Sequence, residues 1–298
     1  MKAARIHEYG HSDRIQIDDV LVPAQSSTDV LVRIDAAGVN PVDWKIREGF
    51  MAKRGAARAF PFTLGQDFAG QVIAVGEDVT GIEADEEVYG FANGAYAEFA
   101  VVSPDSIATK PITVDDATAA SLPTPGLTAL QAVRAIDPQR GQTVLIHGAA
   151  GGVGSIATQL CLARGARVLA TASSRDADYL RSLGVAEVID YKTQRFEDVA
   201  HDLDAAIDVV GGETQRRTLA ILKPTGKLVS TVGLVDQARG IALVMKRNPD
   251  DLRELARLVD AGTIKPHGTR VLPLDQASAA QDLNQQGKTS DKLVLGIR

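Results

Sequence analysis

The chain has 298 residues, a formal net charge of −6 at pH 7, 45% apolar residues and 23% charged ones. That length is enough for two cores, and the balance is that of an ordinary globular protein. The acidic sign, with a pI near 5.4, argues against a surface built for nucleic acid or anionic membranes. The single cysteine, Cys161, rules out an internal disulfide and any multi-cysteine zinc site, and it reads as a packed core thiol. No run approaches the ~20 apolar residues of a membrane span. The opening MKAARIHEYG lacks the apolar stretch of a signal peptide, so a cytoplasmic address is the default expectation.

Up to about residue 115, short β-like runs are punctuated by glycine and proline: Ile15–Leu21, Asp29–Ala36, Ala69–Val75, Glu87–Phe91 and Tyr96–Val101. Their spacing predicts a compact antiparallel barrel. From Asp115 the texture changes. Asp115–Leu122 and Gly126–Ile136 read as helices, followed by strands at Thr143–His147, Arg167–Ala172, Glu187–Ile189, Ala205–Val210 and Lys227–Thr231. Strands alternating with helices predict a doubly wound parallel sheet, an α/β fold of Rossmann type. Pro249–Asp260 reads as a helix with Asn248 as its cap. A short helix near Gln276–Gln285 and a strand at Lys292–Ile297 end the chain.

The stretch HGAAGGVG joins the Thr143–His147 strand to a helical pattern at Ile156, Leu160 and Ala163. A strand, a turn of small residues and a helix opening together make an anion site, because free N–H groups and the positive end of the helix dipole face the ligand. Ala149, Gly151, Gly152, Val153 and Gly154 are therefore the candidate phosphate-binding residues. His147, which ends the strand, is expected to hydrogen-bond the turn backbone.

An NAD site places a carboxylate for the ribose hydroxyls at the end of the second strand, about 20 residues past the glycines. Here that strand ends in Ala172-Ser173-Ser174-Arg175, with no carboxylate before Asp176. Two hydroxyls and a guanidinium suit a 2′-phosphate, so Ser173, Ser174 and Arg175 predict NADPH. The same residues also read as a cap for the helix running through Tyr179 to Leu183.

The order of GVNPVDWKIREG, LGQDFAGQVIAVG, GAYAEFAVV, LPTPGLTAL and HGAAGGVG resembles the quinone oxidoreductase, or zeta-crystallin, family. These are zinc-independent medium-chain dehydrogenases/reductases. The tail from Gly268 is similar to the family's C-terminal segment, which returns to complete the first domain. The resemblance implies a GroES-like β-barrel domain at residues 1–115 and 266–298, and a Rossmann domain at 116–265. A nicotinamide cofactor would lie in the cleft between them. It places Asn40 at that cleft, as a neutral amide donor to an oxygen that gains charge during hydride transfer. Asn before Pro is equally a common turn former. The resemblance also puts Thr128 and the backbone near Gly233 against the nicotinamide.

Zinc-dependent relatives have a cysteine where Asn40 stands and a His-Glu pair where Gln66 and Asp67 stand. Two amides and a lone carboxylate do not build a zinc site, and no metal is expected. Lys45 stands where several relatives carry a tyrosine near the substrate; an exposed lysine on a solvated turn is the plainer reading. Trp44 is a candidate pocket wall, and Asp43 a cap or turn anchor. The implied activity is NADPH-dependent reduction of a small-molecule quinone or of a carbonyl-conjugated double bond. A non-catalytic NADPH-binding sensor or structural protein and an enoyl-thioester reductase stay open, as does a homodimer. Neither nucleic acid nor membrane is an expected partner.

Overall fold

The strand Val30–Gly38 alternates buried Val30, Val32 and Ile34 with half-buried Leu31, Arg33 and Asp35, and so presents one face to a core. It is the centre of the larger sheet in a computed structural model that describes residues 1–298 apart from Ala56, Ala238, Lys288 and the side chain of Arg54. The chain forms two compact units. One comprises Met1–Thr124, Arg247–Asp260 and His267–Arg298, the other Pro125–Lys246 and Ala261–Pro266.

In the first unit the sheet runs Thr269–Pro273, Lys292–Gly296, Val30–Gly38, Asp67–Val75, Glu87–Phe91 and Ile107–Thr109, and Phe99–Val102 also pairs with Val30–Gly38. A second sheet joins Ile15–Asp19, Lys2–Ile6 and Phe62–Thr63. Ile6, Val32, Ile34, Phe68, Val72, Tyr96 and Leu295 fill the interior. Burial of each large side chain there stabilises by roughly 1.5–3 kcal/mol. Gly70 is required at its place, since a Cβ there would strike the Arg33 carbonyl across the strand pair. The C-terminal strand pairs antiparallel with the end of Val30–Gly38, Val294 opposite Gly38, so the tail completes the first unit.

The second unit holds a wholly parallel sheet in the order Glu187–Asp190, Arg167–Ala172, Thr143–His147, Leu203–Asp208, Leu222–Ser230 and Ile241–Ala242. Leu145, Leu169, Ile189, Ala206 and Leu228 form its core with Phe196. Strands buried on both faces explain the near-continuous apolar runs. This is the doubly wound dinucleotide-binding arrangement. Cys161 is buried, and burial pushes its thiol up to about 12.

Three of the differences from the sequence reading bear on the two units and the site. Asn40-Pro41-Val42-Asp43 opens a helix, Pro41–Arg47, where only a turn was expected, because Pro41 sits at a first helical position, where its missing N–H costs nothing. The Leu222–Ser230 strand begins five residues earlier than Lys227. The helix Pro249–Asp260 belongs to the first unit, whereas the expected boundary placed it in the second. It buries Leu252, Leu255 and Val259, accepts the Tyr89 hydroxyl at the Leu252 carbonyl (2.5 Å), and holds Thr113 through Asp260 (2.8 Å). An amphipathic stripe shows that a face is buried but not against what. Among the described residues no helix is long and apolar enough to cross a membrane.

Candidate active site

In the second unit Gly148 leaves the strand with φ of +67°, and the chain folds back so that the Gly151 N–H reaches the Gly148 carbonyl at 3.0 Å. Gly151 caps the helix Gly152–Ala163 in an extended conformation. The first hydrogen bond of that helix runs from Ser155 N–H to the Gly151 carbonyl (2.9 Å). The N–H groups of Gly152, Val153 and Gly154 therefore have no intrahelical acceptor, and Gly151 and Gly152 are exposed. Ala149 is pinned by its N–H to the Thr171 carbonyl (3.2 Å). Of the five candidate residues, Gly152, Val153 and Gly154 thus offer N–H groups suited to a pyrophosphate, while the N–H groups of Ala149 and Gly151 are spent on holding the turn. A Cβ at Gly154 would strike the Gly148 carbonyl and lie 2.7 Å from the Ala149 Cα, both rigid backbone. Gly154→Ala is expected to weaken dinucleotide binding about tenfold or more while leaving the far-UV dichroism native. Titration of nicotinamide fluorescence reads this, and unchanged affinity would remove the turn from the site.

At the end of the second strand Ser173 is buried and its hydroxyl donates to Asp176 Oδ2 at 2.6 Å. Arg175 Nε lies 3.4 Å from the same oxygen, and its side chain is 54% exposed. Asp176 is thus turned inward and held, while Ser174 and Arg175 face outward. The neighbouring strand adds residues the sequence reading missed. Tyr191 N–H bonds the Ala172 carbonyl at 3.3 Å, which sets exposed Tyr191 and Lys192 beside the Ser173–Arg175 segment. Parallel register is the signal that could have found them.

Gly233 has φ of +94°, and its carbonyl accepts Gln215 Nε2 at 2.9 Å. Gln215 also donates to Asp208 (2.8 Å) and accepts the Val235 N–H (2.7 Å). Asp208 Oδ1 in turn accepts the Val210 and Gly211 N–H groups, each at 2.9 Å. This buried pair positions the Gly233 loop and was not foreseen. Thr128 is buried within the helix Pro123–Ile136.

His147 does not bond the turn backbone. Nδ1 lies 3.0 Å from the Thr171 hydroxyl and Nε2 2.8 Å from that of Thr218, which donates its own proton to the Thr214 carbonyl. Thr218 must then accept from Nε2–H, and Nδ1 accepts from Thr171. Burial, opposed by Asp208, pulls this imidazole down to about 4 and keeps it neutral.

In the first unit Asn40 is 2% exposed and bridges two charges. Its Nδ2 donates to Asp67 Oδ2 at 2.9 Å, and its Oδ1 accepts Lys292 Nζ at 2.6 Å. A carboxylate on one side and an ammonium on the other fix which way the amide points. Thr124 adds its N–H (2.9 Å) and hydroxyl (2.5 Å) to Asp67. Asp43 accepts the Asn40 N–H (2.7 Å) and the Tyr96 hydroxyl (3.0 Å) on Oδ2, while its buried Oδ1 has no partner. Burial pushes Asp43 up to about 7, raises Asp67 and lowers Lys292. One hydrogen of the Asn40 amide is engaged on Asp67, so at most one remains for a substrate oxygen. Lys45 lies half-buried, with Nζ 5.4 Å from the Trp44 ring centroid.

Beside this network lies a cavity of about 220 Å³. Val42 and Ile46 of the Pro41–Arg47 helix, with Tyr9, Met51 and Phe62, give it apolar walls, and Gln66 and Arg58 supply its polar groups. Trp44, expected as a wall, is not among the lining residues.

A barrel-like unit of this topology and a doubly wound unit with a glycine turn together define a medium-chain dehydrogenase/reductase, an oxidoreductase class. Residues 26–112 match the alcohol dehydrogenase GroES-like domain and residues 183–295 the zinc-binding dehydrogenase family. Quinone oxidoreductase of Mus musculus is 30% identical over 99% of this chain and 98% of its own length. The NADPH-dependent alkenal/one oxidoreductase of Arabidopsis thaliana is 32% identical over 89% of this chain and 71% of that protein. The structure of the quinone oxidoreductase from Coxiella burnetii superposes with a TM-score of 0.93 at 34% identity, covering 100% of this chain and 99% of that one. The chain belongs to the zinc-independent quinone oxidoreductase family of medium-chain dehydrogenases/reductases. Among its described residues no three His, Cys, Asp or Glu side chains are grouped to hold a metal. The donor set around Asp67 includes the Lys292 ammonium, which repels a cation.

Proposed function

We propose that this protein uses NADPH to reduce a quinone or a carbonyl-conjugated double bond. The observation that carries the reading is the outward-facing Ser174–Arg175 pair beside the glycine turn, with Asp176, the first carboxylate after the strand, turned inward onto Ser173. The N–H groups of Gly152, Val153 and Gly154 hold the pyrophosphate, and Ser174 and Arg175, with Lys192 beside them, hold the 2′-phosphate. Gln215 keeps the Gly233 loop in the shape that receives the nicotinamide end. When bound, the cofactor supplies the hydride. The apolar cavity of the first unit orients a planar acceptor and excludes water, and the remaining Asn40 amide hydrogen supports the acceptor oxygen. The quinone and alkenal/one oxidoreductases among its relatives support the same acceptor class.

The test is oxidation of NADPH and NADH against a panel of quinones, alkenals, enones and enoyl thioesters. NADPH is expected to be used well ahead of NADH. Arg175→Ala is expected to lower NADPH efficiency by about tenfold, with NADH use little changed, as loss of a charge-assisted contact predicts. Equal use of both cofactors, or a ratio untouched by Arg175→Ala, would overturn the NADPH assignment. Tight NADPH binding with no turnover of any acceptor would instead mark a non-catalytic binder.

A further inference from the structure

We infer that the acceptor carries an anionic substituent, recognised by Arg58 in the wall of the first-unit cavity, with Arg247 behind the Gln66 wall. The inference rests on the reductase reading above and names its substrate class.

Arg58 lines the cavity, with its guanidinium carbon 5.4 Å from the centroid of the Phe62 ring. Its backbone N–H bonds the hydroxyl of Tyr9, another wall residue, at 3.3 Å, and Phe60 stacks on Phe62 with centroids 5.4 Å apart. The guanidinium is therefore carried by an ordered aromatic cluster, yet no carboxylate among the described residues pairs with it. Arg247, from a distant part of the chain, does not line the cavity but binds one of its walls from behind. Its Nη2 donates to Gln66 Oε1 at 2.6 Å, its Nη1 to Asn93 Oδ1 at 3.4 Å, and its guanidinium lies 5.0 Å from the Phe91 centroid. Both partners are neutral amides, and Gln66 is itself a cavity wall. Desolvation, opposed by Asp67 and reinforced by the like charge of Arg58, lowers Arg247 from its ordinary range. Asp67 acts on Arg247 through space, but its oxygens accept from Asn40 and Thr124 and neither guanidinium is hydrogen-bonded to it.

Two like charges that act on one another, with no carboxylate hydrogen-bonded to either, cost stability in the unliganded protein. The chain has 38 acidic against 32 basic residues, yet no carboxylate is among the described residues that line this cavity. The missing anion is supplied by the ligand. Val42, Ile46, Met51 and Phe62 fit a flat hydrocarbon skeleton, and the Arg58 guanidinium then meets a carboxylate, sulfonate or phosphate attached to it, with the charge of Arg247 behind Gln66 adding to the attraction.

Cinnamaldehyde and its para-carboxylate form a matched pair, since a para-carboxylate barely alters the electronics of the enal. The carboxylate is expected to have the higher kcat/KM by about tenfold, expressed in KM rather than kcat, as one charge-assisted contact predicts. Arg58→Gln is expected to bring the ratio toward one and Arg58→Glu to invert it. Arg58→Gln/Arg247→Lys guards against a fold effect of losing the Gln66 contact. High salt should erode the preference in the unaltered protein. A ratio near one in the unaltered protein, or one that these substitutions leave alone, overturns the inference while the reductase reading stands. A separate readout needs no turnover. Trp44 is the only tryptophan and lies on the helix that supplies Val42 and Ile46. Naphthalene-2-sulfonate should quench it at about tenfold lower concentration than 2-naphthol. That preference without reduction of any quinone, enal, enone or enoyl thioester would sink the reductase reading and keep the anion site; equal quenching sinks the site.

Discussion

Asp67→Ala is expected to destabilise the first unit by about 3–5 kcal/mol, the cost of leaving a buried charge without its counter-charge. Asp67 is fully buried and receives three hydrogen bonds, from Asn40, Thr124 N–H and the Thr124 hydroxyl, at 2.9, 2.9 and 2.5 Å. Removing it strands three donors and leaves Lys292, joined to it through the Asn40 amide, with Asp43 as the only other carboxylate acting on it. Urea unfolding followed by Trp44 fluorescence reports on this unit specifically. The paired substitution Asp67→Ala/Lys292→Met is expected to recover a large part of the loss, because an apolar replacement of both partners leaves no uncompensated charge. Destabilisation below about 1 kcal/mol in the single variant would show the bridge to be unimportant. A double variant no better than Asp67→Ala alone would show that Thr124 and Asn40, rather than charge pairing, set the cost.

The two architectures were legible because each has its own apolar period. Thr143–His147 and Arg167–Ala172 appear as continuous apolar strands flanking a glycine turn, and the structure places both at those bounds. The cradle of Gly151 to Gly154 could be read because it is local: strand, turn and helix follow one another in sequence. Contacts between distant segments could not be read in this way. Lys292 reaches Asn40 because the last strand returns beside Val30–Gly38, and Arg247 reaches Gln66 across 181 positions. Neither residue sits in a local pattern that sets it apart. Pro41–Arg47 was too short for a helical period to emerge, and Asn40-Pro41 reads equally as a turn or as a cap followed by a first helical residue. His147 was legible as a strand end, but its hydroxyl partners, Thr171 and Thr218, come from the next strand and from a helix 71 residues on.

Raising the pH from about 4 to about 6.5 is expected to weaken the first unit and strengthen the second. Asp43 lies in the first and His147 in the second. Burial raises Asp43 from 3.8 to about 7, with Asp67 adding to the rise and the hydrogen bonds from Asn40 and Tyr96 and the charge of Lys292 opposing it. Between those values the folded state holds a proton that the unfolded chain has released, so stability present below about pH 4 is lost as the pH climbs to 7. Asp67, also raised by burial, acts in the same direction. His147 has the opposite sign. Its value falls from 6.5 to about 4, the unfolded chain holds the extra proton in between, and stability present above pH 6.5 is lost as the pH drops. Each displacement is worth on the order of 3 kcal/mol, so a single global stability would hide both by cancellation. Hydrogen exchange separates them, with Val30–Gly38 reporting on one unit and Thr143–His147 on the other. Protection of the first set, corrected for intrinsic exchange, should fall across this window while that of the second rises. Asp43→Asn is expected to flatten the fall, and His147→Asn to flatten the rise. Protection changing in the same direction in both units, or slopes that survive these substitutions, would show that neither buried group titrates as its surroundings require.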